Sequence, residues 1–211
     1  MATFSRGQSR WKMDRSGIPV TVGQRGLGWG IGLHPGDQEG PQKREGDHRA
    51  PAGVYLLEFG FGAAAFREKG FPFRQVFDRD RWVDDPASRF YNQWVVEGDS
   101  RFPQDWNSAE IMKREDGLYD YVIVVGHNRN PILPGRGSAI FLHSWRAPGK
   151  STVGCTAMET EEVKRLLQWL KKEANPILIQ LPSPYLNSIG ISAPLRKAIE
   201  RVDWSENKAP R

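Results

Sequence analysis

One stretch constrains the fold of this 211-residue chain more than any other: residues 137–158, GSAIFLHSWRAPGKSTVGCTAM. Its apolar run, Ala139 to Leu142, is bounded by turn residues and has the length of a buried strand. That strand delivers His143 and Ser144. A short polar loop then closes on Ser151, Thr152, Val153, Gly154 and Cys155, the only cysteine in the sequence. Strand, loop and return place His143 at the rim of a sheet and bring Cys155 back towards it.

A thiol beside an imidazole is the minimum for a cysteine nucleophile, because the thiolate is the reactive species and the imidazole generates it. The plain alternative is a core cysteine and a hydrogen-bonded structural histidine. Local context favours the first. Gly154 and Thr156 flank the cysteine, and Gly154 permits the close backbone approach that an oxyanion hole requires. Downstream, Val163, Leu166, Leu167 and Leu170 recur at helical spacing, so residues 158–175 read as an amphipathic helix. Thr160 fits its N-cap, and Thr156 with Glu159 fits a capping box. Cys155 then lies just before a positively polarised helix end, which together with His143 predicts a thiol pKa below about 8.5.

These residues resemble the L,D-transpeptidase catalytic domain (YkuD-type), whose signature is a histidine on a strand, a spacer and Ser/Thr-x-Gly-Cys. Further segments are similar to the same family: GLGWGIGLHPGDQEGPQKREGDHRAPAGVYLL, VDDPASRFYN and REDGLYDYVIVVGHN, so the likeness covers roughly residues 20–182. The resemblance implies Cys155 as nucleophile, His143 as its base, the Ser144 carbonyl orienting the imidazole, and amides around Gly154 and Cys155 holding the oxyanion. It also implies the reaction: acyl transfer on peptidoglycan stem peptides at an L-to-D peptide bond through a Cys155 thioester. Acceptors would be another stem's amine, a free D-amino acid or water, and carbapenems would acylate the thiol. No cofactor is called for. A substrate-binding set of His127, Ser151, Trp145, Arg146 and Arg136 completes the expected site.

Two positions depart from the commonest signature. Val153 stands where a second histidine is usual, and Ala157 where an arginine associated with substrate anchoring is usual. Arg146 and Arg136 are the candidates for the missing charge. The departures leave L,D-carboxypeptidase or L,D-endopeptidase hydrolysis open beside cross-linking. A catalytically silent wall-binding module is the alternative of another class, and thiol labelling separates it. Zinc held by Cys155 and two histidines is a remoter option, since the four histidines form no HExxH pair.

Composition bounds the rest. Twenty-two glycines and fifteen prolines favour turns and short strands over a helical bundle. The net charge of +5 comes from interspersed charges, without the basic, aromatic-laced stripe of a nucleic-acid surface. No apolar run approaches a membrane span and no apolar leader precedes the domain. Family members are mostly exported, so the resemblance implies a periplasmic or cell-envelope protein with its leader removed, or alternatively a cytoplasmic part in peptidoglycan recycling. A monomer is expected.

Along the chain, residues 1–23 predict a strand, a turn at residues 14–17 and a second strand at residues 20–22. Residues 54–59, 119–125, 140–143 and 176–181 predict further strands, with 119–125 and 140–143 paired. Within residues 119–125, Tyr121 to Val125 follow one another without a polar break, as in a strand buried on both faces. The alternating Gly26, Gly28, Gly30 and Gly32 do not make a phosphate loop and read as close packing. Residues 60–119 read as a long irregular region with short helices, one at 107–114, and an Asx turn at Asp84–Asp85. His127, at a strand end, reads equally as a site group or a structural one. The fold expected is mainly β: an L,D-transpeptidase-like β-sandwich of mixed sheets with one packed helix and short helical insertions. It occupies residues 1–191 as a single catalytic domain, followed by an extension, residues 192–211, with a short helix at 192–204.

Overall fold

A computed structural model describes residues 1–7, 10–36, 38–67, 69–187, 189 and 192–201. The two most apolar runs become its central strands, β9 (Val122–Val125) and β10 (Phe141–Ser144), paired antiparallel with Phe141 opposite Val124. Side chains alternate across a strand. Ile123, Val125 and Leu142 therefore enter one core layer, while Val122, Val124 and Phe141 enter another. Burial on both faces is what uninterrupted apolarity calls for.

β4 (Ala50–Gly62) carries the sheet from one end to the other. Its first half runs parallel to β3 (Leu27–Trp29) and antiparallel to β12 (Ile177–Gln180). Its second half runs antiparallel to β9 and parallel to β5 (Phe73–Gln75). A register shift between Leu57 and Gly60 marks the change of partners, where a bulge bends the strand. With β11 (Thr156–Met158) parallel to β10, the path across the sheet is β11-β10-β9-β4-β12.

One face is covered by α1 (Thr160–Trp169), which buries Val163, Leu166 and Leu167 with the following Leu170 against Leu57, Ile123 and Leu142. Over the other face lies a small sheet in the order β7-β6-β8, from β6 (Asp80–Val83), β7 (Trp94–Val96) and β8 (Ala109–Ile111). Aromatic edges join the layers: Phe141 meets Trp82 at 5.1 Å and Phe61 at 5.1 Å, both near perpendicular. Such pairs add to area burial, and removing a wholly buried Phe costs about 3–5 kcal/mol. The fold is mainly β with mixed sheets, as expected.

Several local expectations are corrected. The N-terminal turn is not at residues 14–17. β1 (Thr3–Arg6) and β2 (Trp11–Arg15) form the hairpin, closed by the Gly7 N–H on the Arg10 carbonyl. Residues 20–22 are not a strand but part of a strap. Thr21 exchanges 2.8 Å bonds with Ala157, and Gln24 N–H donates to the Thr152 carbonyl at 2.9 Å. Residues 107–114 contain the short strand β8 rather than a helix; Asp85 takes the Asn107 N–H at 2.7 Å where the chain comes to lie along β6. Asp85 also accepts from Ala87 N–H at 2.9 Å, the expected Asx turn. The backbone N–H groups of Asn107 and Ala87 hold its carboxylate below the usual range. α1 is capped by neither predicted threonine: Glu159 is its N-cap, without a side-chain bond. α2 (Ala193–Glu200) contacts β2, and residues 202–204 of the expected C-terminal helix lie outside the described residues.

Candidate active site

β10 and β11 bring the thiol and the imidazole together. They run parallel with His143 opposite Ala157, so Cys155 sits one residue before β11 at the mouth of the pair. Two residues apart on β10, Phe141 and His143 share a face, and Cys155 belongs to the core layer that Phe141 enters. His143 is thereby aimed to the thiol side of the sheet. Both are nearly enclosed, Cys155 at 7% exposure and His143 at 8%.

His143 Nδ1 lies 2.7 Å from the Ser144 carbonyl. A carbonyl only accepts, so Nδ1 carries the proton and Nε2 keeps its lone pair. Burial pushes the imidazole pKa down to about 4, against the opposing Ser144 bond. The Tyr119 ring stands edge-on to His143 at 5.3 Å and fixes its plane.

The thiol departs from expectation. Cys155 Sγ–H donates to the Ala139 carbonyl at 3.3 Å, and burial pushes its pKa up to about 12. The helix end that was to stabilise a thiolate does not adjoin it, because β11 intervenes between Cys155 and α1. Macrodipole effects fall off within one turn. At rest the pair is thus a neutral thiol and a neutral imidazole.

Ala139 itself is held at φ 51°, an unusual conformation for a residue with a Cβ. Asn92 imposes it. Its Oδ1 accepts from Ala139 N–H at 3.2 Å and Trp82 Nε1 at 2.8 Å, while Nδ2 donates to the Asn128 carbonyl at 2.7 Å.

The Gly-Cys turn is shaped by Thr152 rather than Ser151. Thr152 Oγ1 donates to the Cys155 carbonyl at 2.6 Å and accepts from Gly154 N–H at 3.2 Å. The Gly154 amide is therefore engaged at rest, which leaves Cys155 N–H as the backbone donor beside Sγ. Ser151 is exposed. Thr152 occupies the Ser/Thr place of Ser/Thr-x-Gly-Cys, the signal that marks it in the sequence.

The other anticipated residues separate into groups. Trp145 is half-buried and continues the β10 ladder, its N–H on the Met158 carbonyl at 2.8 Å. Arg146 is exposed and pairs with Asp116 at 3.6 Å. His127 is wholly buried with both ring nitrogens committed: Nδ1 accepts from Ile31 N–H at 3.1 Å, and Nε2 donates to the Arg136 carbonyl at 2.9 Å. Burial lowers its pKa to about 4. A methyl group added at Gly30 would lie 2.6 Å from this ring, so that glycine is required by packing. Arg136 buries its Nε without a hydrogen-bond partner among the described residues. Ala157 is entirely buried.

Sequence reasoning missed Glu110 and Tyr119. Tyr119 O–H donates to Glu110 at 3.1 Å, and burial raises the phenol pKa, with the nearby thiol adding to the rise. Lys43 was missed as well. Among the described residues, no group of three or more His, Cys, Asp or Glu is placed to hold a metal ion. No described helix is long and apolar enough to cross a membrane.

Searches of curated proteins and of solved structures return no match. A family model, the L,D-transpeptidase catalytic domain, matches residues 1–179, from the first hairpin to β12. With the greater part of its length matched, the chain belongs to the L,D-transpeptidase catalytic domain family, cysteine-dependent enzymes that act on peptidoglycan.

Proposed function

We propose that this protein transfers acyl groups on peptidoglycan stem peptides, with Cys155 as nucleophile and His143 as general base. The observation that carries the reading is the Nδ1 bond of His143 to the Ser144 carbonyl, which leaves Nε2 as a proton acceptor on the thiol side. Substrate entering the cleft displaces Sγ–H from the Ala139 carbonyl. His143 Nε2 takes the proton as Sγ attacks the carbonyl of the L-configured centre. The oxyanion is met by Cys155 N–H, and by Gly154 N–H if Thr152 Oγ1 turns away. His143 then returns the proton to the departing D-residue amine, and the thioester remains.

Because thiol and imidazole are both neutral at rest, proton transfer is coupled to attack and does not precede it. The exposed Arg146, on a long and solvated pair with Asp116, is free to swing to a substrate carboxylate, with Trp145 and Ser151 on the same loop. Resolution of the thioester by an amine gives cross-linking or exchange, and by water gives carboxypeptidase or endopeptidase activity. Action on the wall places the enzyme in the periplasm or cell envelope.

Incubation of the full chain with defined muropeptides tests the reading. Cys155→Ser is expected to abolish product while keeping the wild-type circular dichroism spectrum. Muropeptide processing by that folded variant above a trace level would remove the cysteine mechanism.

A further inference from the structure

The signature arginine is replaced by Ala157, whose side chain has no access to solvent or substrate. A different cation lies at the Gly-Cys turn. Lys43, on the strand-free segment between β3 and β4, is buried with its side chain 4% exposed. A methyl group built on Gly154 would lie 4.0 Å from its Nζ, and one built on Gly137 would lie 3.1 Å from its Cε. The ammonium thus sits between the loop that enters β10 and the loop that ends in Cys155.

That position is built. Lys43 Nζ donates to the Arg44 carbonyl and Asp47 Oδ1, each at 2.6 Å. Asp47 is fixed in turn by Arg44 N–H at 2.7 Å and Arg49 N–H at 2.9 Å. Glu45 ties the segment to the β10 loop, accepting from Ser138 Oγ at 2.7 Å. An ammonium has three donors, and a buried one persists only where its charge is answered. Asp47 answers it at rest.

We propose that Lys43 is the fixed positive charge of the acyl-transfer site, holding the negative charge that forms on Cys155 Sγ and passes to the tetrahedral oxygen. It rests on the reading of Cys155 as nucleophile. The charged and titratable groups facing the thiol divide by sign. Glu110 on β8 opposes a thiolate and Lys43 favours it, while Tyr119, in the same core layer as the thiol, is neutral and stands against His143. Lys43 acts through the field across the turn and is a positioning residue. Asp47 sets how much of that field the thiol feels.

With a single thiol in 211 residues, alkylation followed by intact mass reads this site alone. The test compares neutral iodoacetamide with anionic iodoacetate at one pH on the full chain. Lys43→Met is expected to slow iodoacetamide and to lower the iodoacetate-to-iodoacetamide rate ratio about tenfold, well below the full Coulomb energy of one nearby charge because Asp47 offsets much of its field. Lys43→Arg is expected to restore most of both. Asp47→Asn, which uncovers the ammonium, is expected to raise the ratio.

Opposite shifts in the two variants distinguish a field effect from loosening, which would move both ratios alike. Ratios that move together, or that stay within a factor of about two in both variants, would overturn the proposal. If Lys43→Met fails to fold, the sign of the Asp47→Asn shift decides. Muropeptide processing by Cys155→Ser would instead defeat the nucleophile assignment, a failure the rate ratio does not mimic.

Discussion

The ends of β9 and β10 each carry a buried histidine, and the two regions use the same side chain oppositely. After β9, His127 spends both ring nitrogens on backbone groups, Ile31 N–H and the Arg136 carbonyl, and so ties three segments together. On β10, His143 spends one nitrogen on its neighbour's carbonyl and keeps the other. Burial lowers both pKa values to about 4, so neither depth nor basicity separates them. What separates them is the lone pair that His143 keeps on its second nitrogen, the property that its proposed role as general base requires.

Breaking this contrast should give the largest effects. His143→Ala is expected to lower turnover by about 10²–10⁴-fold with little change in melting temperature. His127→Ala leaves a part-buried N–H and a part-buried carbonyl without their partner. It should cost about 2–4 kcal/mol of stability, with turnover per folded molecule nearly kept. Thermal denaturation beside product analysis reads both, and a reversed pattern would exchange the two roles.

A second, smaller effect follows from pH. In the unfolded chain these imidazoles titrate near about 6.5, whereas in the fold they titrate at about 4. Between those values the unfolded state binds more protons, so stability is full above about 6.5 and is lost as pH falls towards 4, by up to about 3 kcal/mol per ring. Urea denaturation along this range should show the loss, and His127→Gln or His143→Gln should each flatten it. Equal slopes in wild type and both variants would contradict the burial account.

The thiol offers a sharper discriminant of smaller size. Since burial raises its pKa to about 12, the iodoacetamide rate should climb without a plateau through about pH 9.5. His143→Ala should shift that profile little. A plateau near neutrality would mean a preformed thiolate–imidazolium pair. Smallest of all, Arg146→Ala should change stability by less than about 0.5 kcal/mol, its pair with Asp116 being exposed. It should raise KM a few-fold and leave kcat alone.

Much of this was legible from local pattern. Continuous apolarity marked β9 and β10, and Val163, Leu166, Leu167 and Leu170 marked the buried face of α1. The His-to-Gly-Cys spacing brought out the pair that parallel strands then join. What escaped depends on contacts between distant segments. β11 is a three-residue strand made by pairing with β10 and the 21–24 strap, and no local signal separates it from the helix that follows. Its presence is why the thiol lacks a helix end. Glu110, Tyr119 and Lys43 reach the site from a different sheet, a loop and a far upstream segment. Their types are ordinary, and only the fold makes them neighbours. The aromatic layer above Phe141 turned an apparently irregular region into the sheet β7-β6-β8 for the same reason.

The account stands on a covalent acyl group at one sulfur, and intact-protein mass measures it directly. A carbapenem presents a strained electrophilic carbonyl that an activated thiol opens. Incubated with it, the wild-type chain is expected to gain the mass of one molecule, located by peptide mapping on Cys155, while Cys155→Ala gains none. His143→Ala should acylate at a far lower rate to the same end mass. An adduct that survives in Cys155→Ala, or one mapped to any other residue, would contradict the assignment of the nucleophile and of the mechanism built on it.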